Sequence, residues 1–359
     1  MRWVLLLWLA CGMVRAAEEQ FVVLVTGDGI RHQEVFTGVG EEFLDPAQKK
    51  LSGIESLEKI RAEFWAEDAR ARRERLMPFF WKELAARHGV VFGNRELGSK
   101  AGLRNTHHFS YPGYAEILNG RPLPEIASND RVWSPSRTIL EFIREEFNLP
   151  ARKVAAFGSW DVFNWICMSR EEAVFCNAGY EAFTGGSAEA QRWSDLQFQF
   201  LSPWDTVRHD AVTLNLALNY LEMEKPRFLY LALGETDDWA HERRYDRYVQ
   251  TLRYFDDALR LLWNRLQATT PYAGRTTLII TTDHGRGRML EDWTSHSNKV
   301  PGADETWVAV FGPGVSARGE ARGGKAVSLS NVAATVVKVY GLDLARFSGE
   351  AAEALPVFK

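Results

Sequence analysis

Residues 276–280, Thr-Thr-Leu-Ile-Ile, open after Gly274 and lead straight into Thr281-Thr282-Asp283-His284-Gly285. An unbroken run of β-branched and aliphatic residues marks a strand buried on both faces, as in the interior of a parallel sheet. Groups placed just past the carboxyl end of such a strand face the crevice where open α/β sheets hold ligands. Carboxylate oxygen beside imidazole nitrogen suits zinc or a similar divalent ion. An isolated Asp-His pair is equally an ordinary helix or turn cap, so the weight falls on whether the chain repeats the arrangement.

It does. Residues 21–25 form a second buried run, ending in Thr26-Gly27-Asp28-Gly29. Residues 227–233 form a third, followed by Asp237 and His241, four apart and so on one face of a single helical turn. His296 follows in the polar loop Trp293-Thr294-Ser295-His296. Arg31 and His32, next to Asp28, read as exposed loop charges or as substrate contacts. Further strands are expected at 89–93, 153–157, 173–176 and 306–311. Helical periodicity covers 55–87, with Leu57, Ile60, Phe64 and Trp65 on one stripe, Arg70 to Arg75 on a solvated face and Pro78 as a break. It returns at 137–147, 210–222, 245–266 and 330–340, whereas 122–135 and 179–194 read as irregular. Strands alternating with helices, without repeats or a strong linker, predict one catalytic domain over 18–359. Its expected architecture is a three-layer α/β/α sandwich around a doubly wound, mostly parallel sheet.

Residues 1–17 read as a secretory signal peptide: Arg2, an apolar run from Trp3 to Ala10, and Val14-Arg15-Ala16 as a cleavage site. Cys11 offers a lipoprotein alternative, with Trp8 a poor fit to the preceding aliphatic position. The run is too short to span a bilayer, and no later segment is long and apolar enough. Export places Cys167 and Cys176 either in a disulfide or as two buried thiols. A net charge of −4 over 359 residues gives no basic footprint for a nucleic-acid polymer.

The remaining informative stretch is Asn105-Thr106-His107-His108-Phe109-Ser110-Tyr111-Pro112-Gly113-Tyr114. Ser110 stands at a loop-to-helix junction, where a serine is an N-cap or a nucleophile favoured by the helix N-terminus.

In chain order these parts resemble the alkaline phosphatase superfamily over nearly the whole mature chain. Asp28-Gly29 follows a strand, Ser110 heads a helix, Asp237 pairs with His241, then come Asp283-His284-Gly285 and the lone His296. The segment from Ser110 to Gly120 is similar to the nucleophile segment of nucleotide pyrophosphatase/phosphodiesterases. The resemblance implies two zinc ions bridged by one phosphate. Asp237, His241 and His296 would hold one, and Asp28, Asp283, His284 and the Ser110 oxygen the other. It also implies a phosphoseryl intermediate on Ser110, with Asn129 donating a hydrogen bond to a phosphate oxygen.

The implied function is a zinc-dependent phosphomonoesterase or phosphodiesterase acting on a small phosphoester. Alternatives on the same scaffold are a sulfatase-like or phosphonate-cleaving hydrolase, or a non-catalytic metal- or phosphate-binding protein. Sulfatases of this superfamily carry an arginine where Tyr114 stands, which disfavours formylglycine formation at Ser110. Alkaline phosphatases proper carry an arginine beside the nucleophile, where this chain has Tyr111. The interval between Ser110 and Asp237 is too short for the second domain of the cofactor-independent phosphoglycerate mutases.

Overall fold

The computed structural model describes residues 19–200 and 202–359; the expected signal peptide lies outside the described residues. Among the described residues eleven strands run β1 Phe21–Gly27, β2 Gly89–Phe92, β3 Ala101–Gly102, β4 Val154–Gly158, β5 Phe175–Ala178, β6 Phe228–Leu233, β7 Thr276–Thr281, β8 Glu305–Thr306, β9 Val308–Phe311, β10 Gly319–Glu320 and β11 Val327–Ser328. Eight of them form one sheet in the order β10-β2-β9-β7-β1-β6-β4-β5, and β11-β3-β8 form a small second sheet. Within the large sheet only β9 runs against its neighbours β2 and β7.

The two-residue alternation of each central strand divides the apolar side chains between two cores. Phe21, Val23, Val25, Leu229, Leu231, Leu278 and Ile280 meet the helices Asp210–Glu224 and Tyr245–Ala268 on one face. Val22, Leu24, Phe228, Tyr230 and Ile279 meet the helices Ser110–Asn119, Ile139–Glu146 and Asn331–Val339 on the other. Both faces are covered, so the central strands are apolar throughout and the expected α/β/α sandwich is the architecture observed.

β1 lies between β6 and β7, with Thr26 opposite both Ala232 and Thr281. The three carboxyl ends are therefore flush. Asp28, Gly234 and Thr282 leave the sheet side by side, at the point where strand order reverses.

Several local expectations are corrected. The 55–87 stretch is broken into the helices Leu57–Phe64 and Ala69–Leu76 and a π-helical turn, Phe80–Ala85. The segment read as irregular after Gly179 contains the helix Ala188–Leu196, capped by Ser187 on the Ala190 amide. Arg31 is buried against Glu34 at 3.4 Å, and His32 is buried near Glu305, so neither is an exposed loop charge. Cys167 and Cys176 are free thiols, the first buried.

Nor is the arginine run simply solvated. Arg73 is 8% exposed, stacks on Trp81 at 3.7 Å, and grips Glu320 through two bonds of 2.8 and 2.7 Å. Burial would raise the Glu320 carboxyl, but Arg73 and Asn94 outweigh it and hold it below its ordinary value of 4.5. Arg73→Ala strands that carboxylate, and a loss of about 3 kcal/mol of unfolding free energy is expected at neutral pH. The sign follows from the lowered value: the stabilisation is full above pH 4.5 and fades as pH falls through the folded-state value. Denaturant melts of both proteins at pH 7 and pH 3.5 check this, with convergence expected at the lower pH.

Candidate active site

The last residues of β1, β6 and β7 set the floor of the site. Asp28 is fixed by Tyr114, whose hydroxyl donates to Oδ2 at 2.9 Å, and its carbonyl accepts from Thr236 Oγ1 at 2.5 Å. Asp283 Oδ1 accepts from the Gly29 amide at 3.0 Å. His284 is fully buried, and its Nδ1 lies 2.8 Å from the Gly285 carbonyl. Only a protonated Nδ1 can pair with a carbonyl, so Nε2 is the nitrogen left to face the cleft. It lies 3.4 Å from Asp28 Oδ1, 3.5 Å from Asp283 Oδ2 and 3.7 Å from Asp237 Oδ1.

A second group adjoins the first. The helix Glu235–His241 begins directly after β6 and carries Asp237 and His241, whose Oδ2 and Nε2 are 3.1 Å apart. His241 Nε2 and His296 Nε2 are 3.0 Å apart, and the His296 ring stacks on His284 at 4.0 Å between centroids. The His296 Nδ1 faces the His108 carbonyl at 3.3 Å, again leaving Nε2 toward the cleft.

The electrostatics are those of a cation site. Burial, reinforced by Asp28, pushes the Asp283 carboxyl up to about 8. Burial opposes charge on His284 too, yet Asp283 and Asp28 outweigh it and raise the imidazole to about 9. Burial and the neighbouring His284 both lower His296 and His241. Asp28 Oδ1, Asp283 Oδ2 and His284 Nε2 are buried and have no hydrogen-bond partner among the described residues. Orphaned buried polar atoms are costly, and a divalent cation with oxygen and nitrogen ligands satisfies all three at once. Asp28, Asp283 and His284 form one such group and Asp237, His284 and His296 another, each with ligand atoms within 4.8 Å of one another. The residues present therefore fit a metal ion.

Ser110 is the first residue of its helix; the cap position is Phe109, in extended conformation at φ −148°. The capping reading of Ser110 thus fails. Pro112 sits in the first turn, where its missing N–H leaves no helix bond unmade. Gly113 is required by close approach: a Cβ there would lie 2.2 Å from the Asp283 carbonyl oxygen. That contact brings the Ser110 turn against the Asp283 segment, while His108 leans on His296 from the other side. Asn129 Oδ1 accepts from the Tyr111 amide at 3.0 Å. Its Nδ2 is the donor end of the same amide.

A model of the metalloenzyme superfamily matches residues 206–344, a span that includes Asp237, His241, Asp283, His284 and His296. Among solved structures, wild-type alkaline phosphatase PafA superposes with TM-score 0.59 at 10% identity, covering 96% of this chain and 100% of its own. This is the alkaline phosphatase fold. A putative sulfatase from Bacteroides thetaiotaomicron shares it, with TM-score 0.60, 14% identity and coverage of 94% and 74%. So does an alkaline phosphatase superfamily protein from Vibrio parahaemolyticus, at TM-score 0.54, 14% identity and coverage of 91% and 67%. A search of curated proteins gave no match. The family match implies a metal ion, and the superfamily resemblance read from the sequence is borne out.

Sequence reasoning overlooked four residues that shape this alkaline phosphatase-like site. Tyr114 holds Asp28. Buried Glu116 accepts from the Arg104, Asn105 and Ser330 amides, and Asn105 Oδ1 accepts from the amides of His107 and His108. Together they set the loop before Ser110, including His108 at φ 51°. Arg286, directly after the Asp-His-Gly motif, is 1% exposed and bonds to Asp237. A charged residue directly after so compact a motif was the one hint available.

Proposed function

We propose that this chain is an exported, zinc-dependent phosphoester hydrolase, a phosphomonoesterase or phosphodiesterase, with Ser110 as nucleophile. The observation that carries the reading is the meeting of two metal-type donor groups beside the helix turn that begins at Ser110. Asp28, Asp283 and His284 would hold one ion; Asp237, His241 and His296 the other. Zinc bound there supplies positive charge to the phosphoryl oxygens and makes the serine hydroxyl more acidic.

The chain's own groups supply the rest. The Ser110 oxygen attacks phosphorus, forming an O–P bond as the bond to the leaving alcohol breaks. The serine gives up its proton, and the departing alkoxide takes one up. Water then cleaves the phosphoseryl bond and restores the hydroxyl. The positive end of the helix dipole at Ser110 and Asn129 Nδ2 favour the negative charge that builds on the phosphoryl group. The substrate class is a small phosphoester. Export rests on the apolar leader; among the described residues no helix is long and apolar enough to cross a membrane.

Sulfate ester hydrolysis is the second reading, favoured by the sulfatase description of a structural neighbour. Against it, Tyr114 is buried on Asp28 at the place of the sulfatase arginine.

Purified protein treated with a strong chelator is expected to lose hydrolysis of aryl phosphates and aryl phosphodiesters and to regain it with zinc. Aryl sulfate is expected to be cleaved far more slowly. Faster sulfate cleavage would select the second reading. A protein that never takes up a divalent ion would support metal-free binding instead.

A further inference from the structure

Arg286 belongs to none of the roles above, yet its side chain is fully buried within the site. Its Nη1 donates to the Thr294 carbonyl at 2.6 Å, two residues before His296. Its Nη2 donates to the Asp237 carbonyl at 3.2 Å and also to Asp237 Oδ1. One rigid guanidinium therefore ties together three ligand-bearing segments: its own Asp283-His284 loop, the Glu235–His241 helix and the loop of His296. The planar fork makes this bridge possible, since an ammonium is a point donor without that span.

Gly29 serves the same arrangement. Its φ is +60°, and a Cβ would lie 2.7 Å from Asp237 Oδ1 and 2.8 Å from Arg286 Nε. The glycine after Asp28 thus leaves room for the guanidinium. Asp237 Oδ2 faces His241 Nε2 at 3.1 Å, while Oδ1, which Arg286 engages, also lies 3.7 Å from His284 Nε2 and 3.9 Å from His296 Nε2; His241 Nε2 in turn faces His296 Nε2 at 3.0 Å.

We propose that Arg286 is a positioning residue for the Asp237–His241–His296 group, holding the Asp237 backbone and carboxylate so that the carboxylate meets a divalent cation in one orientation. The inference rests on the metal-site reading above. Partners that orient a metal ligand from behind typically change metal affinity by about 10–100-fold when removed. Arg286 cannot be a substrate contact, because its side chain has no exposed surface.

The test is zinc titration against a competing chelator, using wild type, Arg286→Lys and Arg286→Met, with folding followed by circular dichroism. Cobalt absorption spectra report ligand geometry in the same samples. Wild type is expected to bind two ions. Arg286→Met is expected to keep one near wild-type affinity and to bind the other about 10–100-fold more weakly, with an altered cobalt spectrum. Arg286→Lys is expected to fall between them and decides the matter if the methionine variant does not fold. Two ions bound with unchanged affinity in both variants would overturn the role of Arg286 while leaving the metal centre intact. Equal weakening of both ions in the lysine variant would also overturn it. A wild-type protein that binds no divalent ion would overturn the metal centre itself, and this inference with it.

Discussion

Ser110→Ala is expected to keep its full zinc content and to lose on the order of 10^4-fold or more in kcat/KM toward phosphate esters, the scale on which removing an enzyme's nucleophile acts. The separation of the two readouts follows from where Ser110 sits. It occupies the first helical position, not the cap, so alanine removes no backbone hydrogen bond and is the best helix former available. The donor groups of Asp28, Asp283 and His284 and of Asp237, His241 and His296 lie on other segments and stay in place. Tyr114 and Gly113, which dock the helix on Asp28 and Asp283, are untouched. Ser110→Thr retains a hydroxyl at the same place and is expected to stay well above the alanine variant. Metal analysis by mass spectrometry beside steady-state kinetics checks both. Wild-type turnover in Ser110→Ala would remove the serine from the mechanism and leave direct attack by water.

The sheet and the candidate donor residues Asp28, Asp237 and Asp283 were legible for one physical reason. Central strands buried on both faces must be continuous apolar runs, and polar residues can resume only where such a strand leaves the sheet. Asp28, Asp237 and Asp283 each follow a run of that kind, so the interruption itself marks the site. What stayed hidden depends on tertiary contact. β3, β8, β10 and β11 are two residues long, too short to show a period. The reversal of β9 leaves no trace in composition, because it too is buried on both faces. Arg73 reads as a solvated charge, Arg31 as a loop charge or substrate contact, and Arg286 draws no reading at all, because their partners Glu320, Glu34 and Asp237 are not identifiable from spacing. The helix Ala188–Leu196 has few apolar positions, and Ser187 followed by Ala-Glu-Ala was its only local sign.

The sharpest contrast is expected between two variants that should both fail to hold zinc. His284 Nε2 borders both donor groups, 3.4 Å from Asp28 Oδ1 and 3.7 Å from Asp237 Oδ1. His284→Ala is therefore expected to weaken zinc binding by more than about 100-fold, beyond the effect of losing a mere supporting partner, and to abolish hydrolysis. Asp283→Asn removes an ionised oxygen from the same cleft and is expected to be similarly inactive. In the metal-free state the two should diverge. Without His284, buried Asp28 and Asp283 face each other with no imidazolium between them, and the unfolding temperature falls. Asparagine at 283 keeps an Oδ1 to accept from the Gly29 amide and ends the like-charge burial that pushes the aspartate up to about 8. Metal-free Asp283→Asn is thus expected to melt a few degrees above the metal-free parent, the scale of about 1–2 kcal/mol. Scanning calorimetry with chelator and with excess zinc measures all four states. If both substitutions destabilise the metal-free chain alike, Asp283 is a structural cap. If they move apart while zinc raises only the parent, these residues were placed for a cation at a cost to the empty fold.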